Sequence, residues 1–122
     1  MASPRSILVV EDEYILAMSV SNVLKGAGYR VIGPVSSVRA AKDLLLRRSP
    51  AGAILDVMLR GDTVLPLAQL LDDQLVPILV ISGCCERRTL PPVLALAPYL
   101  AKPFPESALS QLARCVFGRP VD

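Results

Sequence analysis

The sequence predicts an α/β fold, a doubly wound five-stranded parallel sheet with helices on both faces. Three observations carry this. Short apolar runs rich in β-branched residues alternate five times with segments whose apolar residues recur at helical spacing. Several of those runs stop abruptly at an acid, a hydroxyl or a lysine, as strands buried on both faces do. The 122 residues suit a single domain with one core, so residues 1–122 are expected to form one unit.

Residues 7–10 read as the first strand and end at Glu11. Residues 14–25 follow as a helix, with Ile15, Leu16, Val20, Val23 and Leu24 at helical spacing and Gly26 and Gly28 to stop it. The grammar then repeats. Residues 29–32 form a strand, residues 36–48 a helix capped by Ser36 or Ser37, and residues 51–55 a third strand running into Asp56. A third helix spans 63–73 with Leu67, Leu70 and Leu71 on one face, and a fourth strand covers 77–81 before Ser82 and Gly83. Pro91, Pro92 and Pro98 lie in the next stretch, and proline removes a helical amide donor, so the fourth helix should be short, displaced or missing. Residues 99–101 make a last short strand and 106–116 a helix with Leu109, Leu112, Ala113 and Val116 inward. The tails, residues 1–4 and 118–122, are expected to fray.

Composition narrows the function. Thirteen basic and eleven acidic residues give a net charge of +2, with cations scattered apart from the pairs Arg47-Arg48 and Arg87-Arg88. No concentrated basic face is implied, so neither nucleic acid nor membrane is an expected partner. The apolar runs are far shorter than the roughly 20 residues that span a bilayer. Residues 1–6 lack the apolar core of a secretory signal, which gives a cytoplasmic expectation. Cys84, Cys85 and Cys115 have no metal-site spacing, and adjacent cysteines make poor disulfide partners. The chain contains no histidine, which removes serine and cysteine nucleophile systems built on an imidazole base. Carboxylates and a lysine must carry any chemistry.

In open α/β sheets ligands sit beyond the carboxyl ends of the strands. The residues expected there are Glu11, Asp12 and Glu13 after the first strand, Asp56 after the third, Ser82 after the fourth and Lys102 after the fifth. Taken singly, each has an ordinary reading as helix cap, turn former or loop residue. Together they make a site. Gathered carboxylates repel one another unless a cation neutralises them, and Mg²⁺ suits a few carboxylate oxygens with room for water and phosphate oxygens. Asp56 is then placed to attack phosphorus and form an aspartyl phosphate, with Lys102 offsetting charge and Ser82 donating a hydrogen bond to a phosphoryl oxygen.

Four motifs extend this reading: Ile-Leu-Val-Val-Glu-Asp-Glu at 7–13, Ala-Ile-Leu-Asp-Val-Met-Leu at 53–59, Pro-Ile-Leu-Val-Ile-Ser-Gly at 77–83 and Ala-Lys-Pro-Phe at 101–104. In them the chain resembles the receiver domains of two-component response regulators over essentially its whole length. The resemblance implies a flavodoxin-like sheet of order 2-1-3-4-5 and a stand-alone receiver. It also implies Asp12 as a direct Mg²⁺ ligand, Glu11 as one through water, Asp56 as ligand and phosphoacceptor, and the Met58 backbone carbonyl as a further ligand. Ser82 and Tyr99 become a switch pair, because an aromatic residue three positions before the lysine resembles the family's rotating side chain. A sensor histidine kinase or histidine phosphotransfer protein would donate the phosphoryl group. A downstream protein would receive the signal, or the domain would act as a phosphate sink. Leu59-Arg60-Gly61, Leu90-Pro91 and Lys102-Pro103-Phe104 resemble a subfamily with a Phe-Ala-Thr-Gly-x-Tyr-type motif and a degenerate fourth helix, from which Ile81, Ser82 and Cys84 depart.

Such a domain is no enzyme beyond catalysing its own phosphorylation and dephosphorylation. Two rivals stand beside it. An aspartate-nucleophile phosphohydrolase needs a second acid two residues after the nucleophile, where this chain has Met58. A pseudo-receiver would fold and bind partners without being phosphorylated, and the retained acids and Lys102 argue against it.

Overall fold

A computed structural model describes residues 4–59, 61–83 and 89–121. Ten elements alternate: β1 (Ser6–Val10), α1 (Tyr14–Gly26), β2 (Arg30–Val35), α2 (Val38–Leu45), β3 (Gly52–Asp56), α3 (Leu65–Asp73), β4 (Ile78–Ser82), α4 (Pro92–Ala95), β5 (Tyr99–Ala101) and α5 (Glu106–Phe117). The strands form one sheet in the order β2-β1-β3-β4-β5, and every neighbouring pair is parallel. Parallel pairing requires crossovers, and the helices supply them while covering both faces.

The continuous apolar strands follow from that coverage. Alternate residues point to opposite faces, so Leu8, Val10, Leu55 and Val80 join one core with Ala41, Leu67 and Leu71, from α2 and α3. Ile7, Val9, Ile54, Leu79 and Ile81 join the other with Val20 and Leu24 of α1 and Leu109, Ala113 and Phe117 of α5. Register aligns the strand ends: Val10 lies opposite Leu55, Asp56 opposite Ile81 and Ser82 opposite Ala101. The polar residues that follow are therefore delivered to one edge.

Several local outcomes refine the sequence reading. The inward stripe of α1 is Ala17, Val20, Ser21 and Leu24, a helical i, i+3, i+4, i+7 set, which turns Ile15 out to water. The buried Ser21 hydroxyl is satisfied by donating to the Ala17 carbonyl at 2.8 Å. Ser37 is the residue that caps α2, accepting from the Ala40 amide at 3.1 Å. β2 runs on to Val35, past a register shift opposite Leu8 to Val10 where Gly33 takes φ +95°. The proline-rich stretch gives a single helical turn, α4, as proline's missing donors require. Cys84, Cys85, Arg60 and Arg87-Arg88 lie outside the described residues.

The carboxyl-terminal tail is not frayed. Tyr29 donates its hydroxyl to the Gly118 carbonyl, the Arg5 guanidinium donates to the Phe117 carbonyl, and the Arg5 amide donates to the Pro120 carbonyl at 2.7 Å. The backbone needs freedom to make that turn, and Gly118 supplies it at φ +77°. Gly52 has a related role: a Cβ there would lie 2.3 Å from the Phe117 ring, so only glycine admits the ring against β3.

Candidate functional site

The site forms where β1, β3, β4 and β5 end. β1 stops at Val10, and the Glu11 amide donates to the Val35 carbonyl at 3.0 Å, which turns the chain out of the sheet. The Glu11 carboxylate then accepts from the Glu13 amide at 3.0 Å, satisfying one of the unpaired amides at the start of α1. Glu11 is thus buried at 2% exposure, Asp12 is half-buried and Glu13 is exposed. Asp56, the last residue of β3, is equally buried, and its Oδ1 accepts from the Met58 amide at 2.9 Å. Glu11, Asp12 and Asp56 bring one carboxylate oxygen each to within 4.8 Å of one another.

Lys102 supplies the opposing charge. Its Nζ lies 2.9 Å from Asp56 Oδ2 and 3.1 Å from Glu11 Oε2. Its placement is fixed by the backbone, since the Lys102 amide donates to the Ser82 carbonyl at 2.9 Å. Burial pushes the Glu11 carboxyl up to about 7; the adjacent Asp56 carboxylate adds to this, while the Glu13 amide and Lys102 oppose it. Burial alone would lower the Lys102 ammonium, but its bonds to Asp56 and Glu11 outweigh that and raise it. One ammonium therefore serves two buried carboxylates with a third beside them, an acidic cluster whose oxygens could together hold a metal ion.

Ser82 ends β4 fully buried, and its hydroxyl has no hydrogen-bond partner among the described residues. A buried hydroxyl without a partner costs about 1–3 kcal/mol, which suits a group reserved for something that arrives. Tyr99 begins β5 and donates its hydroxyl to the Ser82 backbone carbonyl at 3.4 Å. Met58 is half-exposed beside Asp56. Glu11, Asp12, Asp56, Met58, Ser82, Tyr99 and Lys102 thus meet at one end of the sheet. Glu13 was the least specified of the acids there, and its carboxylate also reaches Lys102, at 4.0 Å. Next to Lys102 a cavity of about 400 Å³ opens between α1 and α5, lined by Leu16, Val23, Phe104 and Leu109.

No protein-family model matches the chain. The response regulator receiver protein of Burkholderia phymatum shares the fold, with a TM-score of 0.81 at 23% identity over 96% of this chain and 98% of that one. A response regulator of Burkholderia pseudomallei is 30% identical over 89% of this chain and 65% of its own length, with a TM-score of 0.74; it was solved with a phosphorylated aspartic acid and a calcium ion. In fold and in sequence the chain is similar to response-regulator receiver domains. The transcriptional regulatory protein PdtaR of Mycobacterium tuberculosis is 29% identical over 111 residues, which are 88% of this chain. The chain spans about half the length of that curated relative, 54%.

Proposed function

We propose that this receiver is a phosphorylation switch whose phosphoacceptor is Asp56. The observation that carries this is the Lys102 ammonium held between Asp56 Oδ2 and Glu11 Oε2 at the rim of the acidic cluster. The phosphorylated aspartic acid of the Burkholderia pseudomallei relative supports the same reading. In it, an Asp56 carboxylate oxygen attacks the phosphorus of a phosphohistidine. A P–O bond forms as the P–N bond breaks, and the imidazole nitrogen leaves with the electron pair. Lys102 offsets charge on the transferred group, and the Ser82 hydroxyl donates to one of its oxygens.

Glu11, Asp12 and Asp56 suit a hard divalent cation, and the unmet charge of the cluster favours Mg²⁺ there. Asp12 and Asp56 would hold it directly, Glu11 through water, and Met58 by its carbonyl. When bound, the ion would neutralise phosphate oxygens and help orient the incoming group. Ser82 and Tyr99 would form the switch, the hydroxyl drawn toward the phosphoryl group and the ring moving with it. The donor would be a sensor histidine kinase or histidine phosphotransfer protein in the cytoplasm, and output would pass to a downstream protein or end in a phosphate sink. Met58, in place of a second acid, argues against turnover of small phosphoesters. The single-turn α4 supports the subfamily with a degenerate fourth helix.

The test is intact-protein mass spectrometry after incubation with acetyl phosphate, with and without Mg²⁺, on the wild type and Asp56→Asn. One Mg²⁺-dependent phosphoryl addition to the wild type alone is expected. Labelling of folded Asp56→Asn would remove Asp56 as the acceptor, and no labelling of folded wild type would leave a pseudo-receiver.

A further inference from the structure

The ends of α2 and α3 lie at the amino edge of the sheet, opposite the acidic site, and both helices pack on the same face. α3 closes with paired bonds, the Val76 amide to the Leu71 carbonyl and the Leu75 amide to the Asp72 carbonyl, both at 2.9 Å. That motif places its turning residue in the left-handed region, where glycine is favoured. Here the residue is Leu75, at φ +60° and 89% exposed. A branched apolar side chain thus occupies a strained backbone position and gains no burial, two costs that folding of one chain does not explain. Beside it Asp72 and Asp73 crowd the negative end of the helix dipole with no basic residue in the last turn.

The neighbouring helix ends in the complement. Leu46, just past α2, is 85% exposed, and Arg47 and Arg48 follow it into solvent. Among the described residues these two arginines and the two aspartates take part in no ion pair. One helix end therefore offers a leucine with two anions, and the next offers a leucine with two cations.

We infer that these two helix ends form a self-complementary surface through which two copies of the chain associate, Leu46-Arg47-Arg48 of one on Asp72-Asp73-Leu75 of the other. Because both patches sit side by side on one face, a two-fold axis between them makes each contact twice and closes the assembly at two. The opposite charges select the pairing, and the two leucines lose their exposed area only in the pair. The contact lies at the far end of the sheet from Asp56, so pairing leaves the acidic site open.

Sedimentation velocity on the unphosphorylated chain, over a concentration series reaching millimolar, tests this without reference to phosphorylation. A reversible monomer–dimer equilibrium weakened by salt is expected. Leu75→Gly should weaken it about tenfold or more while the melting temperature of dilute protein stays at or above wild type, because glycine relieves the backbone. Arg47→Asp/Arg48→Asp and Asp72→Arg/Asp73→Arg should each be monomeric alone and form a one-to-one dimer when mixed. A wild type that stays monomeric throughout, a dimer indifferent to Leu75→Gly, charge variants that fail to pair on mixing, or growth beyond two copies would each overturn the inference.

Discussion

The two ends of the sheet are built to opposite specifications. At the carboxyl end, Glu11 and Asp56 are buried around one ammonium, and the Ser82 hydroxyl is buried without a partner among the described residues. At the amino end, the Phe117 ring fills the space over Gly52, and the tail is tied down by Tyr29 and Arg5. At the first end the Ser82 hydroxyl waits for a partner and two carboxylates share one ammonium, whereas the groups that tie the tail at the second end are satisfied within the chain. The difference teaches where the domain keeps its reactivity and where it keeps its stability. Substitutions around Phe117 and Tyr29 should cost folding free energy alone, and substitutions at the carboxyl end should trade folding against binding.

The largest expected effect is at the amino end. Phe117 is buried at 3% exposure, meets the Tyr29 ring edge-on at a centroid distance of 6.3 Å and covers Gly52. Phe117→Ala removes those contacts and leaves a cavity that β3 cannot close, since glycine has no side chain to move into it. A loss of about 3–5 kcal/mol in denaturant unfolding is expected. A loss below about 1 kcal/mol would mean that the tail collapses into the space.

Lys102→Met should rank next and should behave differently. It leaves Glu11 and Asp56 buried without their cation, a change worth about 3 kcal/mol in metal-free protein. Glu11 is partly neutralised already by its raised pKa, so the measured loss should not exceed that figure. If the acidic cluster takes Mg²⁺, adding it should raise the melting temperature of Lys102→Met more than that of the wild type, because the ion then replaces the missing charge. Equal stabilisation of both, or of Phe117→Ala by the same amount, would erase the contrast between the two ends.

Much of this was legible before any coordinates. The alternation of apolar runs and helical periods dictated the sheet and the helices around it, with the fourth expected to be short, displaced or missing, because strands covered on both faces have no polar alternation to hide them. The site was legible for the same reason: Glu11, Asp56, Ser82 and Lys102 each interrupt or end an apolar strand, and parallel register brings such interruptions to one edge. The amino end was harder to read. Nothing local in Gly118 or Pro120 announces that Arg5 and Tyr29 will hold them, since those contacts span the whole chain. Ile15 misled as well, because an apolar residue one position off the inward stripe looks like a member of it in sequence. Leu75 could not be suspected, as a left-handed backbone conformation at leucine has no sequence signal.

A smaller effect sharpens the comparison at the amino end. Tyr29→Phe keeps the ring against Phe117 and removes only the hydroxyl that bonds the Gly118 carbonyl, so about 1 kcal/mol should be lost with no change in metal response.

The least expected effect separates two caps at the carboxyl end itself. α2 starts on Ser37, whose oxygen accepts from the Ala40 amide, and Ser37→Ala should cost about 1 kcal/mol. α1 starts on Glu13, whose side chain makes no capping bond and lies within 4.0 Å of Lys102 instead. Glu13→Ser should therefore gain roughly 0.5 kcal/mol in thermal unfolding, because serine adds the missing cap and little is lost with an exposed carboxylate. A gain there beside a loss at Ser37 would mean that the helix next to the acidic cluster gives up local stability that its neighbour keeps. A loss at both would mean that Glu13 already stabilises the start of α1 through Lys102, and that the boundary between the two regimes runs outside the acidic cluster rather than through its first residues.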